Sequence, residues 1–291
     1  MDRVTDLGSL RVITVGPSGE ESNYAYLIVD ADTKEAAVVD PYFHEEVVHA
    51  IISAGVTLKQ IWTSHHHYDH AFSNEKMAKL CPGLEVIGGE EDEVEACTKR
   101  VNHLDEWRLG AKITVTALST KGHTDGHMCY KVVADDNPTI AIFTGDSLFV
   151  GGCGRSMEGT FEEMWTSLSV TICGLPPETM CFVGHEYTVK NYTFGVEQDP
   201  GNELMRARLD WAQKVTAEGG VTVPTTVEEE WRTNIFLRGK DAAFCSRHKV
   251  ADAFRAFQKM RTLKNGSMII TLDMLKGTRG MIPGKFRRMC C

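Results

Sequence analysis

The chain has 291 residues, 42% of them hydrophobic and 24% charged, with a formal net charge of -9. That length suits one large domain plus a smaller one, and the negative balance argues against nucleic acid or an anionic membrane surface as a partner. No apolar run approaches the roughly 20 residues of a membrane-spanning helix, and the nine scattered cysteines contain no C-x-x-C, so they read as reduced, mostly buried thiols.

The opening MDRVTDLGSLRV has neither signal-peptide nor transit character, so a cytoplasmic protein is expected, and a monomer. YAYLIVD (24 to 30) and AAVVD (36 to 40) read as paired strands. From Phe43, FHEEVVHAIISAG places Val47, Ile51 and Ile52 at helical spacing and stops at Gly55. LKQIWTS (58 to 64) returns to strand, KITVTALST (112 to 120) alternates with period two, and TIAIFTG (139 to 145) is a continuous apolar run of the doubly buried kind. Thr160 and Glu163 form a capping box that predicts a helix through Trp165 and Leu168. TMCFVG (179 to 184) is another strand.

After about residue 186 the strand runs give way to helical periodicity, which divides the chain into residues 1–185 and a helical region 186–291. Leu204, Ala207, Trp211 and Val215 fall near one face of a helix that ends at two glycines. TTVEEEW (225 to 231) offers a capped start, and Val250, Phe254 and Phe257 form the stripe of a third helix. That stripe leaves Gln258 and Arg261 on a more polar side.

Residues 63 to 70, TSHHHYDH, hold four of the chain's eleven histidines. His65, His67, Asp69 and His70 follow one strand; His123, Asp146 and His185 each lie just beyond the end of another. Side chains at i and i+2 of an extended segment point the same way, so His65 and His67 can grip one ion, and a backbone turn would aim Asp69 and His70 at a second. Imidazole and carboxylate suit zinc, iron or manganese without any thiolate. Seven candidate ligands exceed what one tetrahedral ion uses, so the expected cofactors are two divalent metal ions, zinc foremost. His65, His67 and His123 go to the first, Asp69, His70 and His185 to the second, and Asp146 bridges. Such a pair, about 3.5 to 4 Å apart, supplies hydroxide at neutral pH. Asp69 and Asp146 are the residues counted as catalytic. His66 has the wrong parity for the first ion, and His44, His49, His103, His127 and His248 carry no assignment.

At these residues the chain resembles the metallo-β-lactamase superfamily, whose mark is H-x-H-x-D-H followed by a distant His, Asp and His. More narrowly it resembles the glyoxalase II (hydroxyacylglutathione hydrolase) family, through the THHHxDH-type motif, NEKMAKL (74 to 80), TGDSLFVGGCGR, the EGT at 158 to 160 and GHEYT at 184 to 188. The resemblance implies an α+β fold, an αββα sandwich with the metals at one edge, followed by a smaller α-helical domain that helps bind the thiol carrier. It also implies hydrolysis of S-D-lactoylglutathione to D-lactate and glutathione, so the expected partner is a small-molecule glutathione thioester. Family contacts to the carrier map onto Arg155, in place of a lysine, Tyr187, and Gln258 and Arg261 with Lys259 beside them. Met157 stands where the family has a tyrosine, which leaves a modified glutathione-type thiol open. A persulfide dioxygenase on the same scaffold is the alternative, and the helical region counts against it. The tail ending in Cys290 and Cys291 departs from the family's usual end and is expected to be an ordinary exposed tail.

Overall fold

The β-rich part of the sequence folds into two sheets whose strand ends set the position of the site. The computed structural model describes residues 3–276, the backbone alone beyond residue 266; the Cys290–Cys291 tail lies outside the described residues. The first sheet has seven strands in chain order: β1 (Arg3–Leu7), β2 (Leu10–Ser18), β3 (Asn23–Asp30), β4 (Glu35–Val39), β5 (Thr57–Trp62), β6 (Glu85–Gly89) and β7 (Lys99–Val101). β1 to β4 pair antiparallel through tight turns. From β4 onward the pairs are parallel: α1 (His44–Ala54) crosses over after β4, α2 (Tyr68–Ala71) and α3 (Asn74–Leu80) after β5, and a helix-free segment, residues 90–98, links β6 to β7.

The second sheet comprises β8 (Glu106–Leu109), β9 (Ile113–Ser119), β10 (Met128–Ala134), β11 (Asn137–Phe143), β12 (Met180–Phe182) and β13 (Thr225–Thr226), in the order β13-β12-β11-β10-β9-β8. β11 and β12 run parallel, joined through α4 (Phe161–Thr166) and a π-helical segment Ser167–Ile172. Thr160 caps α4 with the reciprocal box expected from its sequence. The remaining helices are α5 (Thr188–Gln198), α6 (Glu203–Ala217), α7 (Val227–Thr233), α8 (Ala242–His248) and α9 (Ala253–Lys276).

The sheets pack face to face through one large apolar cluster that includes Tyr26, Trp62, Trp107, Tyr130, Phe143 and Phe182. Phe143 stacks on Phe182 with ring centroids 5.1 Å apart, a pairing that adds roughly 0.5–1.5 kcal/mol beyond area burial. The buried polar atoms inside this layer are paired: Gln60 Oε1 accepts from Trp62 Nε1 at 2.8 Å and Trp107 Nε1 at 3.1 Å. Tyr26 and Tyr130 donate across the layer to the carbonyls of Val183 and Thr63 at 2.6 and 2.7 Å. A second cluster, with Val38, Val47, Ile61, Met77 and Val86, lies where α1 and α3 cover the other face of the first sheet.

Two helix faces differ from their sequence reading. In α1 the buried positions are Val47 and Ala50, and Ile52 is exposed. In α6, Leu204 and Ala207 face solvent, and Met205 and Ala212 are buried. Gly195 of α5 explains that rotation: a Cβ there would lie 2.5 Å from Met205 Sδ, so the bare glycine lets Met205 dock and turns Leu204 outward. Val250 precedes α9 instead of belonging to it, and Thr225–Thr226 adds a strand inside the helical region by pairing with β12.

Candidate metal centre

β4, β5, β9, β11 and β12 all end at one edge of the sandwich, and the ionisable residues follow those ends. After β5, residues 63–67 form an irregular connection with bends at Ser64 and His66, not a continued strand, and then enter α2, with His67 at its N-cap. His65 and His67 therefore project from this connection, while Asp69 and His70 sit on the first helical turn. Gly145, at φ +46, makes the sharp turn after β11; a Cβ there would fall 2.5 Å from Ser64 Oγ and 2.8 Å from His127 Nε2. That turn brings Asp146 under the histidines.

The structure brings all seven sequence candidates together. His65 Nε2 and His123 Nε2 each lie 3.0 Å from His67 Nδ1. His70 Nε2 lies 3.2 Å from His185 Nε2, and Asp69 Oδ2 is 3.5 and 3.3 Å from these two nitrogens. Asp146 spans both groups: Oδ2 is 3.3 Å from His123 Nε2, and Oδ1 is 3.3 Å from each of His70 and His185 Nε2. Six of the seven are buried, and His67 is partly exposed.

The outward-facing ring nitrogens fix which inward ones are bare. His123 Nδ1 faces the Arg155 carbonyl at 3.0 Å and His185 Nδ1 faces the Glu21 carbonyl at 2.8 Å. A carbonyl only accepts, so these rings carry their proton on Nδ1 and present a lone pair at Nε2. His70 Nδ1 meets Asp40 Oδ2 at 2.9 Å. The Ser64 hydroxyl donates to Asp40 at 2.7 Å, leaving its oxygen to accept from His65 Nδ1 at 2.9 Å. Four Nε2 lone pairs thus converge with two carboxylates, and Asp146 Oδ1 is buried with no hydrogen-bond partner among the described residues. Ligands about 2.0–2.1 Å from a tetrahedral ion stand roughly 3.3 Å from one another, close to the observed spacings. The donor set therefore fits a pair of divalent cations: a cation satisfies three lone pairs at once, where a proton serves only two.

The electrostatics follow from this crowding. Burial holds His65 and His123 below the ordinary imidazole range, and brings His67 down to about 4. Burial also opposes charge on His70 and His185, but the carboxylates around them prevail, raising His70 well above its ordinary value and His185 to about 9. Burial alone would raise Asp69 and Asp146; the surrounding histidines instead hold both well below the usual carboxylate range. Both acids are thus ionised, and protons and metal compete for the same histidines.

Comparison with known proteins agrees with this geometry. The model described as "Metallo-beta-lactamase superfamily" matches residues 18–185, and "Hydroxyacylglutathione hydrolase C-terminus" matches residues 186–267. The chain is 44% identical over 218 residues to "Hydroxyacylglutathione hydrolase cytoplasmic" of Arabidopsis thaliana, covering 75% of this chain and 84% of the relative. It is 41% identical over 242 residues to "Hydroxyacylglutathione hydrolase-like protein" of Gallus gallus, covering 82% and 85%. The chain belongs to the hydroxyacylglutathione hydrolase family. Among solved structures, ETHE1 from Myxococcus xanthus superposes with a TM-score of 0.62 at 23% identity, covering 90% of this chain and 91% of that one, a likeness of fold.

Within this hydroxyacylglutathione hydrolase the carrier-side candidates divide. Arg155 is half-buried on the loop after Gly154. Tyr187 stacks on His185 at 4.7 Å, its planes 5° apart, and donates to Glu21 Oε2 at 3.0 Å. Gln258 accepts from Arg255 at 2.6 Å, and Lys259 donates to the His248 carbonyl at 2.7 Å. Arg261 departs from the polar side expected for it: it is 3% exposed, because its Nη1 reaches the Cys153 carbonyl at 3.0 Å and its guanidinium packs over Phe236.

Other residues of the site were missed. Asp40, at φ 48, is the first ionisable residue after AAVV, so the rule that found Asp146 reaches it as well. His127 stacks behind His65 and accepts from the Asp146 backbone N–H at 3.2 Å. Asn23 Nδ2 holds both the carbonyl and Oδ2 of Asp69 at 3.0 Å, and no sequence signal marks it. His66 Nδ1 pairs with Asp92 at 2.5 Å and its Nε2 lies 3.3 Å from Glu158.

Proposed function

We propose that this chain hydrolyses S-2-hydroxyacylglutathione thioesters, with S-D-lactoylglutathione giving D-lactate and glutathione, the second step of methylglyoxal detoxification. The observation that carries the reading is Asp146 spanning two triads of inward lone pairs. His65, His67 and His123 would hold one divalent cation, Asp69, His70 and His185 the other, with Asp146 shared. Bound there, the pair supplies hydroxide at neutral pH and positive charge for the developing oxyanion. Zinc is the first choice for a nitrogen and oxygen donor set, with iron and manganese compatible.

The protein's own residues do the rest. Asp40, the Ser64 hydroxyl and the carbonyls of Glu21 and Arg155 hold the imidazoles in the tautomer that ligation requires. Asn23 fixes Asp69. The nucleophilic oxygen adds to the thioester carbonyl; as the tetrahedral intermediate collapses, the C–S bond breaks and its electron pair leaves with sulfur. A thiol pKa of about 8.5 makes that thiolate a competent leaving group without a dedicated acid.

In this reading residues 1–185 form the catalytic domain and residues 186–291 the carrier-binding helical region. Arg155 and Tyr187 stand nearest the metal centre on the carrier side, with Gln258 and Lys259 farther out on α9. The carrier's carboxylates suit this basic rim. No helix among the described residues is long and apolar enough to cross a membrane. The seven described cysteines are free thiols, and the Arabidopsis relative is the cytoplasmic form, which supports a cytoplasmic setting.

The test is thiol release from S-D-lactoylglutathione by fully metallated protein. Rapid release is expected. No release, together with oxygen uptake on a glutathione persulfide, would move the assignment to an oxidative reaction.

A further inference from the structure

The loop between Asp146 and Arg155 is held by side chains of the helical region. Asn191 Nδ2 on α5 donates to the Val150 carbonyl at 3.0 Å. The Gly151 N–H donates to Glu230 Oε2 on α7 at 3.0 Å. Asn234, just after α7, donates to the Gly152 carbonyl at 2.8 Å. Arg261 Nη1 on α9 donates to the carbonyls of Cys153 and Gly154 at 3.0 and 3.4 Å. Every residue from Val150 to Gly154 is thereby fixed, and Asn191, Glu230, Asn234 and Arg261 are all at most 3% exposed. Releasing the loop would strand these buried polar groups without partners.

The loop in turn touches the metal centre at two points. The next carbonyl, that of Arg155, accepts from His123 Nδ1 and so sets the tautomer and aim of that ring. Gly154 lies so close behind Asp146 that a Cβ on it would come 2.0 Å from the Asp146 carbonyl oxygen and 3.1 Å from His123 Nδ1. We propose that Glu230, Asn234 and Arg261 are positioning residues for the metal centre. Through them the helical region acts as a template that holds the 150–155 loop and thereby aims His123 and Asp146. The inference rests on the reading of His123 and Asp146 as ligands, and it gives Arg261 a task other than direct contact with the carrier.

The test uses the full chain loaded with zinc. Glu230→Ala and Arg261→Met should speed zinc loss to a chelator by roughly tenfold or more, the usual scale for partners behind a ligand. They should lower kcat on S-D-lactoylglutathione while KM stays within about twofold, as for a residue that acts on the centre and not on substrate affinity. Glu230→Gln keeps an acceptor for the Gly151 N–H and should restore the parent's zinc retention. Phe244→Leu, in the core of the same region with its ring against His248 and Arg238, should leave zinc loss at the parent rate. A raised KM with parental zinc retention in Arg261→Met would overturn the proposal, as would equal zinc loss in Phe244→Leu. If His123→Ala keeps the parent's full zinc content, the ligand reading itself fails, an outcome distinct from failure of the loop template.

Discussion

Replacing Asp40 with asparagine tests how the tautomers are set. In the parent, Asp40 Oδ1 accepts from the Ser64 N–H at 2.8 Å, and Oδ2 accepts from the Ser64 hydroxyl at 2.7 Å and from His70 Nδ1 at 2.9 Å. Asparagine offers one oxygen and one NH2 in the same place. If the NH2 faces His70, the ring must shift its proton to Nε2, where the lone pair for metal belongs; if it faces Ser64, two N–H groups point at each other. Either arrangement leaves a buried donor unmatched at about 1–3 kcal/mol, and the first also removes a ligand's orientation, a loss of roughly 10- to 100-fold in metal affinity. Zinc release to a competing chelator measures the second effect, and thermal unfolding of the metal-free protein measures the first. Parental zinc release in a folded Asp40→Asn protein would refute the tautomer argument.

Three further outcomes follow from the same contacts. Gly154→Ala places a methyl where only 2.0 Å separates it from the Asp146 carbonyl oxygen, so turnover and zinc binding should both fall sharply; normal kinetics would show that the loop yields without moving Asp146. Burial pushes the Glu230 carboxyl up from 4.5 to about 7, against hydrogen bonds from Asn234, Thr225 and Gly151 and the nearby charge of Arg208 that favour its ionised form. A raised carboxyl stabilises the fold fully below its unfolded pKa and loses that contribution as pH rises through about 7. Relative to Glu230→Gln, the parent should therefore lose on the order of 3 kcal/mol between about pH 4.5 and pH 8, read from denaturant midpoints; parallel pH curves would contradict it. Truncating Asn23 to alanine removes its two hydrogen bonds to Asp69 and should weaken metal retention with little change in melting temperature, which chelator competition will check.

Much of this was legible in the sequence, for a physical reason. A strand that ends at a sheet edge exposes the next polar residue to whatever gathers there, so His65, His123, Asp146 and His185 announce themselves by following apolar runs. Asp40 obeys the same rule, but an aspartate after a strand also reads as a turn residue, so its partner His70 was needed to give it a task. Asn23 carries no such signal, since a buried amide is recognised only by what it touches. Helical periodicity located α6 and α9 and found the packed stripe of Val250, Phe254 and Phe257, but misassigned the face of α6 and the side on which Arg261 lies. A single close approach at Gly195 sets the rotation of α6. Arg261 is drawn inward because it donates to loop carbonyls far away in sequence, which periodicity along one helix does not reveal.

The most direct measurement determines metal content and thioester turnover together on one preparation, for the parent and for Asp146→Ala. The account predicts two divalent ions per chain and thiol release from S-D-lactoylglutathione in the parent, and loss of both in the variant. Full turnover without Asp146, or a parent that holds both ions and releases no thiol, would contradict it.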